Sequence, residues 1–216
     1  MTAETLMTEM QPYLEGLVQE NAMVAHMRRG QATADQIQRL VISEFQCQEV
    51  ELPACSALVT RFRHETPAAH FSLLAHKVAQ ARGLLREAAT AVGLEADGLA
   101  PDPADGRQHR ALRLLSWLGP HARPAEAALY MHADLVAWCA IFARLATACD
   151  GREDVPPAVL AYLRSWGAEP AADITEGTVR VVNWGLSQGE SADRVLRTAH
   201  HVEDVLNGYW SYVTEG

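Results

Sequence analysis

Glu44, Cys47 and Glu51 interrupt an apolar stripe that begins at Ile37, Leu40 and Val41. Residues three, four and seven apart share one face of a helix, so the three polar groups look into the same interior. Burial drives a carboxyl group towards its neutral form unless a cation or hydrogen-bond donors hold its charge. Two roles suit Glu44: an acid/base group in a pocket, or a structural carboxylate bonded to an arginine such as Arg61 or Arg63. Glu51 has the same two roles open to it. Cys47 is either a pocket thiol, which needs a nearby base to act as a nucleophile, or a small buried hydrophobe.

A second set of polar residues lies further along. His132 and Cys139 sit two turns apart on the stripe Ala128, Leu129, Leu135, Val136 and Phe142, while Asp134 is expected to face solvent. Near the C-terminus the stripe is Val195, Ala199, Val202, Leu206, Tyr209 and Val213. At 100° per residue Glu203 lies about 60° from its centre, His200 about 120° and Asp204 about 160°. Glu203 is therefore expected to reach inwards, with Tyr209 and the adjacent Trp210 lining the pocket. His200 and Asp204 have the i, i+4 spacing of a metal-ligand pair, a spacing any helical His–Asp pair shows.

The elements that must position these groups are helical. Alternating strand patterns are almost absent and the apolar period is that of a helix throughout. Seven or eight helices are predicted, the first from about Thr5 to Asn21. Thr33 and Gln36 form a capping-box pattern before the stripe of Glu44, and Pro53 is expected to kink or break that helix. Further helices follow Thr66-Pro67, cover about 108–118 up to Gly119-Pro120, run from Pro124 to about Cys149, open at Pro156-Pro157, span about 171–186, and follow Ser191. Residues 95–107 read as a loop too short to separate domains, so 1–216 is read as a single all-α domain.

Composition narrows the function. The 216 residues carry a formal net charge of -9 and are 49% hydrophobic. An acidic balance argues against a nucleic-acid binder. Four cysteines without a CxxC pair suit a reducing compartment. With neither a signal-peptide pattern nor a run of about 18 apolar residues, no membrane partner and a cytoplasmic location are expected.

The run Met27-Arg-Arg-Gly30 … Asp35-Gln-Ile-Gln-Arg-Leu-Val-Ile-Ser-Glu44-Phe-Gln-Cys47, with Ala81-Arg-Gly-Leu84 … Ala91-Val-Gly-Leu94, resembles the TenA/PqqC group of the haem-oxygenase-like fold. The resemblance implies a seven- to eight-helix TenA-like bundle around an internal pocket, in a homodimer or higher homo-oligomer. Thiaminase-type members place an Asp, a Tyr, a Cys nucleophile and a Glu in that pocket. Glu44 stands at the Asp position, Cys47 at the Tyr position and Glu203 at the Glu position, and the nucleophile's position falls at or near His132. Two of those four groups differ in chemistry. The dimetal oxidases of the fold would require ligands where this chain has Leu74, Ala81 and Asn207, beside His200 and Asp204.

The favoured reading is a small-molecule enzyme acting without metal or other cofactor. Glu44 and Glu203, with His132 and Cys47, would move protons on a biosynthetic intermediate; Glu51, Cys139, Tyr209 and Trp210 would form the pocket. Ala- and Arg-rich usage resembles high-GC actinobacterial proteins, in which such members serve specialised metabolism. The alternatives are an iron-dependent oxidase with altered ligands at His200 and Asp204, and a non-catalytic ligand-binding or regulatory protein of the same fold.

Overall fold

The computed structural model describes residues 1–95, 99 and 106–215, with backbone alone for 106–111. Among the described residues there are nine helices and no strand: α1 (Ala3–Gln19), α2 (Ala22–Arg28), α3 (Ala34–Arg61), α4 (Glu65–Ala91), α5 (Gly106–His121), α6 (Pro124–Cys149), α7 (Pro157–Ser165), α8 (Ala172–Ser187) and α9 (Ala192–Glu215). The expected loop over 95–107 lies largely outside the described residues.

The capping signals hold. Thr33 Oγ1 accepts from the Gln36 backbone N–H at 3.2 Å, and the Gln36 side chain accepts from the Thr33 N–H at 3.1 Å, so two orphan donors of α3 are satisfied reciprocally. Three boundaries differ from expectation. Asn21 ends the first helical run by capping a new short helix, α2, its Oδ1 accepting from the Val24 N–H at 3.0 Å. α3 passes unbroken through Pro53, whose ring faces solvent. Packing on α4 and α5 keeps α3 helical on both sides of the proline, against the lost hydrogen bond and ring clash that a proline brings. α5 likewise continues through Gly119-Pro120. Gly119 is there for close approach: a Cβ would lie 3.0 Å from Ala54 Cα on α3.

α6 is the central element. It packs on α1, α2, α7, α8 and α9, and nearly every position between Pro124 and Ala133 is buried. It is the one described helix long and apolar enough to cross a membrane by length and composition, with a window of mean hydropathy 1.3, and 72% of that window is buried inside the protein. A core helix passes the same test. Its alanines let neighbours come close, and Gly185 of α8 completes the fit, since a Cβ there would meet Ala125 Cβ at 2.7 Å. α3 lies on the other side of the site, packed on α4, α5 and α9. This arrangement turns the Glu44 face of α3 towards α6, α7 and α9.

Candidate functional site

Glu44 is 3% exposed and has two phenolic donors. Tyr209 of α9 donates to Oε1 at 2.8 Å, and Tyr162 of α7 donates to Oε2 in a very short hydrogen bond. The Tyr162 oxygen in turn accepts from the Gln48 side-chain amide at 3.1 Å. Phenolic donors stabilise the carboxylate and burial opposes it. Burial wins, and the Glu44 pKa is pushed up to about 8. At neutral pH the Glu44 proton is largely retained.

Glu44 opens on a cavity of about 40 Å³ lined from α3 by Cys47, Gln48 and Glu51, from α6 by Asp134, Leu135 and Trp138, and closed by Leu115, Trp166, Val205, Leu206 and Tyr209. Two further carboxyl groups face it. Burial pushes Glu51 up to about 8, helped by the charges of Asp134 and Glu44. Burial pushes Asp134 up to about 7. Both are partly exposed by surface area, consistent with their place on a cavity wall. Because the three groups feel one another, they titrate as a set. The Cys47 thiol is raised well above its ordinary value, first by burial and then by Glu44, Asp134 and Glu51. A thiol held in that form is a poor nucleophile.

The structure therefore brings together Glu44, Cys47, Glu51 and Tyr209 of the residues singled out from sequence. It does not bring in the others. Glu203 is exposed and lines a separate groove of about 370 Å³ between α1 and α9, with Pro12, Tyr13 and Asn207. The wheel placed Glu203 at the border of the stripe, and α1 rather than the interior lies across that border. His132 is buried at 7% exposure, on the opposite side of α6, at the floor of a cleft of about 420 Å³ with Leu14, Val18, Arg144 and Pro170. Burial lowers its pKa to about 4. Cys139 does not line the Glu44 cavity; its thiol donates to the Trp166 carbonyl oxygen at 3.5 Å. Trp210 stands behind the cavity wall, edge-on to Tyr209 with ring centroids 4.9 Å apart.

Asp134 is the main correction. Expected in solvent, it lines the cavity, because that face of α6 is turned towards the Glu44 side of α3 and not towards solvent. The near-absence of charged residues between Pro124 and Ala143 was the signal that could have found it. Tyr162 and Trp166, on and just after a short helix, carried no sequence signal of their own.

The two residues named as iron ligands, His200 and Asp204, lie in different surroundings. The His200 ring packs edge-on against Tyr13 at 4.5 Å. Asp204 is exposed and lines a further groove with His201 and Trp117. No group of three His, Cys, Asp or Glu side chains converges to hold a metal ion among the described residues.

An all-α bundle enclosing a carboxylate-lined cavity between α3 and α6 is thus the class of protein that the chain defines. Comparison with solved structures makes the fold specific: it is the haem-oxygenase-like fold in the form found in TenA homologues. A TenA homologue from Pyrococcus furiosus superposes with a TM-score of 0.76 at 11% identity, covering 99% of this chain and 100% of that one. A TenA family transcription regulator from a Silicibacter species gives 0.73 at 13% identity, covering 98% and 96%. A domain of unknown function with a heme oxygenase-like fold from Shewanella denitrificans gives 0.69 at 14% identity, covering 100% and 93%. No family model and no curated protein matches the sequence.

Proposed function

We propose that the protein is a small-molecule enzyme whose acid/base centre is the Glu44 cavity. The observation that carries the reading is Glu44 itself, a buried carboxyl group held by two tyrosine hydroxyls and facing a second acid across a cavity. Buried carboxyl groups that face one cavity resist ionising together, so one can keep its proton as the acid while another serves as the base. Glu44, raised to about 8, suits the acid. Asp134, raised to about 7, suits the base and takes the place that sequence reasoning assigned to Glu203. In a hydrolysis, Asp134 would take a proton from water as its oxygen bonds to the substrate carbon. Glu44 would give its proton to the departing atom as the old bond breaks. The same pair serves an elimination, with Asp134 taking the proton from carbon. Glu51 and Cys47 form the wall.

A solved neighbour is described as a putative TenA-like thiaminase from Sulfolobus solfataricus, at 10% identity, which is in keeping with a small organic substrate. The test is conversion of metabolites. The protein is incubated with a cell extract and consumed species are followed by mass spectrometry, in parallel with Glu44→Gln and Asp134→Asn. Expected is a species consumed by the native protein and spared by both variants. Undiminished conversion by Glu44→Gln would overturn the proposal. A biological role kept by both variants would make the protein a binding or regulatory member of the fold.

A further inference from the structure

The cavity that the proposed function rests on has a marked imbalance of hydrogen-bonding groups. Glu44 has its two tyrosine donors, but neither Glu51 nor Asp134 takes part in a hydrogen bond or ion pair among the described residues. Gln48 is 3% exposed, and its Oε1 is buried without a partner. Tyr162 donates to Glu44 and its oxygen accepts from the Gln48 NH2, while Gln48 Oε1 has no donor. The described lining includes no Lys, Arg or His; its unpartnered buried donor is the Trp166 indole N–H, set against Gln48 Oε1 and the carboxyl oxygens of Glu51 and Asp134. A buried acceptor such as Gln48 Oε1 is costly unless a partner supplies a proton.

Charge and shape add two limits. The Trp138 and Trp166 indoles form part of the wall, and indole faces attract cations. The cavity of about 40 Å³ has room for three or four non-hydrogen atoms, taking about 10–15 Å³ per water-sized occupant. A bare metal ion is disfavoured, because no three ligating side chains converge among the described residues. A quaternary ammonium would bring charge but no N–H.

We infer that the cavity binds the head group of a donor-rich organic cation, a guanidinium, amidinium or primary ammonium, between Glu51 and Asp134 with Gln48 Oε1 as a further acceptor. This rests on the reading of the Glu44 cavity as the functional site and adds the charge of its ligand. The raised pKa values of Glu51 and Asp134 are what an acidic cavity shows without its cation. Binding should bring both down and release protons.

Isothermal titration of the full chain at pH 7.5 and constant ionic strength tests this with guanidinium, urea, tetramethylammonium and magnesium. Expected is guanidinium binding tighter than urea, its neutral isostere, and than tetramethylammonium, by about tenfold or more, as charge-assisted hydrogen bonds of about 1.5–3 kcal/mol imply. Glu51→Gln and Asp134→Asn should each weaken guanidinium by a similar factor, and Glu203→Gln should leave it unchanged. The guanidinium enthalpy should vary with the ionisation enthalpy of the buffer, reporting proton release by the groups facing the cavity. Those are Glu44, Cys47 and Glu51 on α3, Asp134 on α6 and Tyr209 on α9, with Tyr162 bonded to Glu44 and Tyr130 within reach of the charges of Asp134 and Glu51. Equal binding of urea, undiminished binding in both variants, magnesium competing with guanidinium, or no binding of any probe would each overturn the inference. If it falls while Glu44→Gln still abolishes metabolite conversion, the acid/base reading stands with an uncharged ligand. If both results fail, the cavity is not the site.

Discussion

Tyr209 donates a 2.8 Å hydrogen bond to Glu44 across 165 residues of sequence. That one contact ties the last helix to the third and sets the acid at the head of its cavity. Tyr162 does the same from α7, so three helices meet on one carboxyl group.

Removing either hydroxyl should be felt in both stability and titration. Tyr209→Phe and Tyr162→Phe are each expected to cost about 1–2 kcal/mol, the usual range for a buried hydrogen bond whose acceptor is left behind. Both donors lower the Glu44 pKa, so each loss should move it further up. Urea denaturation and carboxyl-carbon NMR titration measure the two effects. A Glu44 pKa that falls in either variant would contradict the assigned geometry.

Stability should depend on pH in a defined way. Glu44, Glu51 and Asp134 hold their protons more tightly folded than unfolded. The native state then binds more protons than the unfolded one, so stability is lost as pH rises towards about 8. The buried imidazoles of His70 and His132 work in the opposite direction. Their pKa values are lowered to about 4, so their contribution is lost as pH falls below about 6.5, the ordinary histidine value. Between pH 6.5 and 8 the carboxyl groups act alone. Denaturation midpoints should fall across that window, and Glu51→Gln should flatten the slope. A flat native profile would contradict the burial of these acids.

His70 has both ring nitrogens buried without partners and lies against Gly177 of α8, where a Cβ would come within 2.5 Å of Nδ1. Gly177→Ala is therefore expected to destabilise the protein by about 1–3 kcal/mol, the cost of overpacking a tight core. His70→Ala should relieve part of that cost in the double variant, since residues in contact couple. Additive losses would place the two residues apart.

Glu190 anchors the start of α6. Both of its oxygens lie 3.2 Å from the Ala125 backbone N–H, one of the donors that a helix start leaves unpaired. Glu190→Ala should cost about 1 kcal/mol, as loss of a capping side chain does, and Glu190→Gln should recover most of it. Thermal unfolding compares the three proteins.

Much of the fold was legible in single stretches of sequence. The Thr33–Gln36 capping box, the Pro-Pro start of α7 and the stripe of α3 are local features, and each acts within a turn or two of itself. Breakers were less dependable. Pro53 and Gly119-Pro120 sit inside continuous helices because neighbouring helices pack on them, and a sequence window does not contain those neighbours.

The chain by itself determined that Glu44, Cys47 and Glu51 share one buried face, because helical periodicity alone sets their common direction. Only the tertiary structure decided what they face. Asp134, Tyr162 and Tyr209 reach the cavity because α6, α7 and α9 pack there, while Glu203 and His132 are turned into other clefts by the same packing. A helix encodes the spacing of its own side chains, but the partner across a cavity depends on how helices far apart in sequence cross.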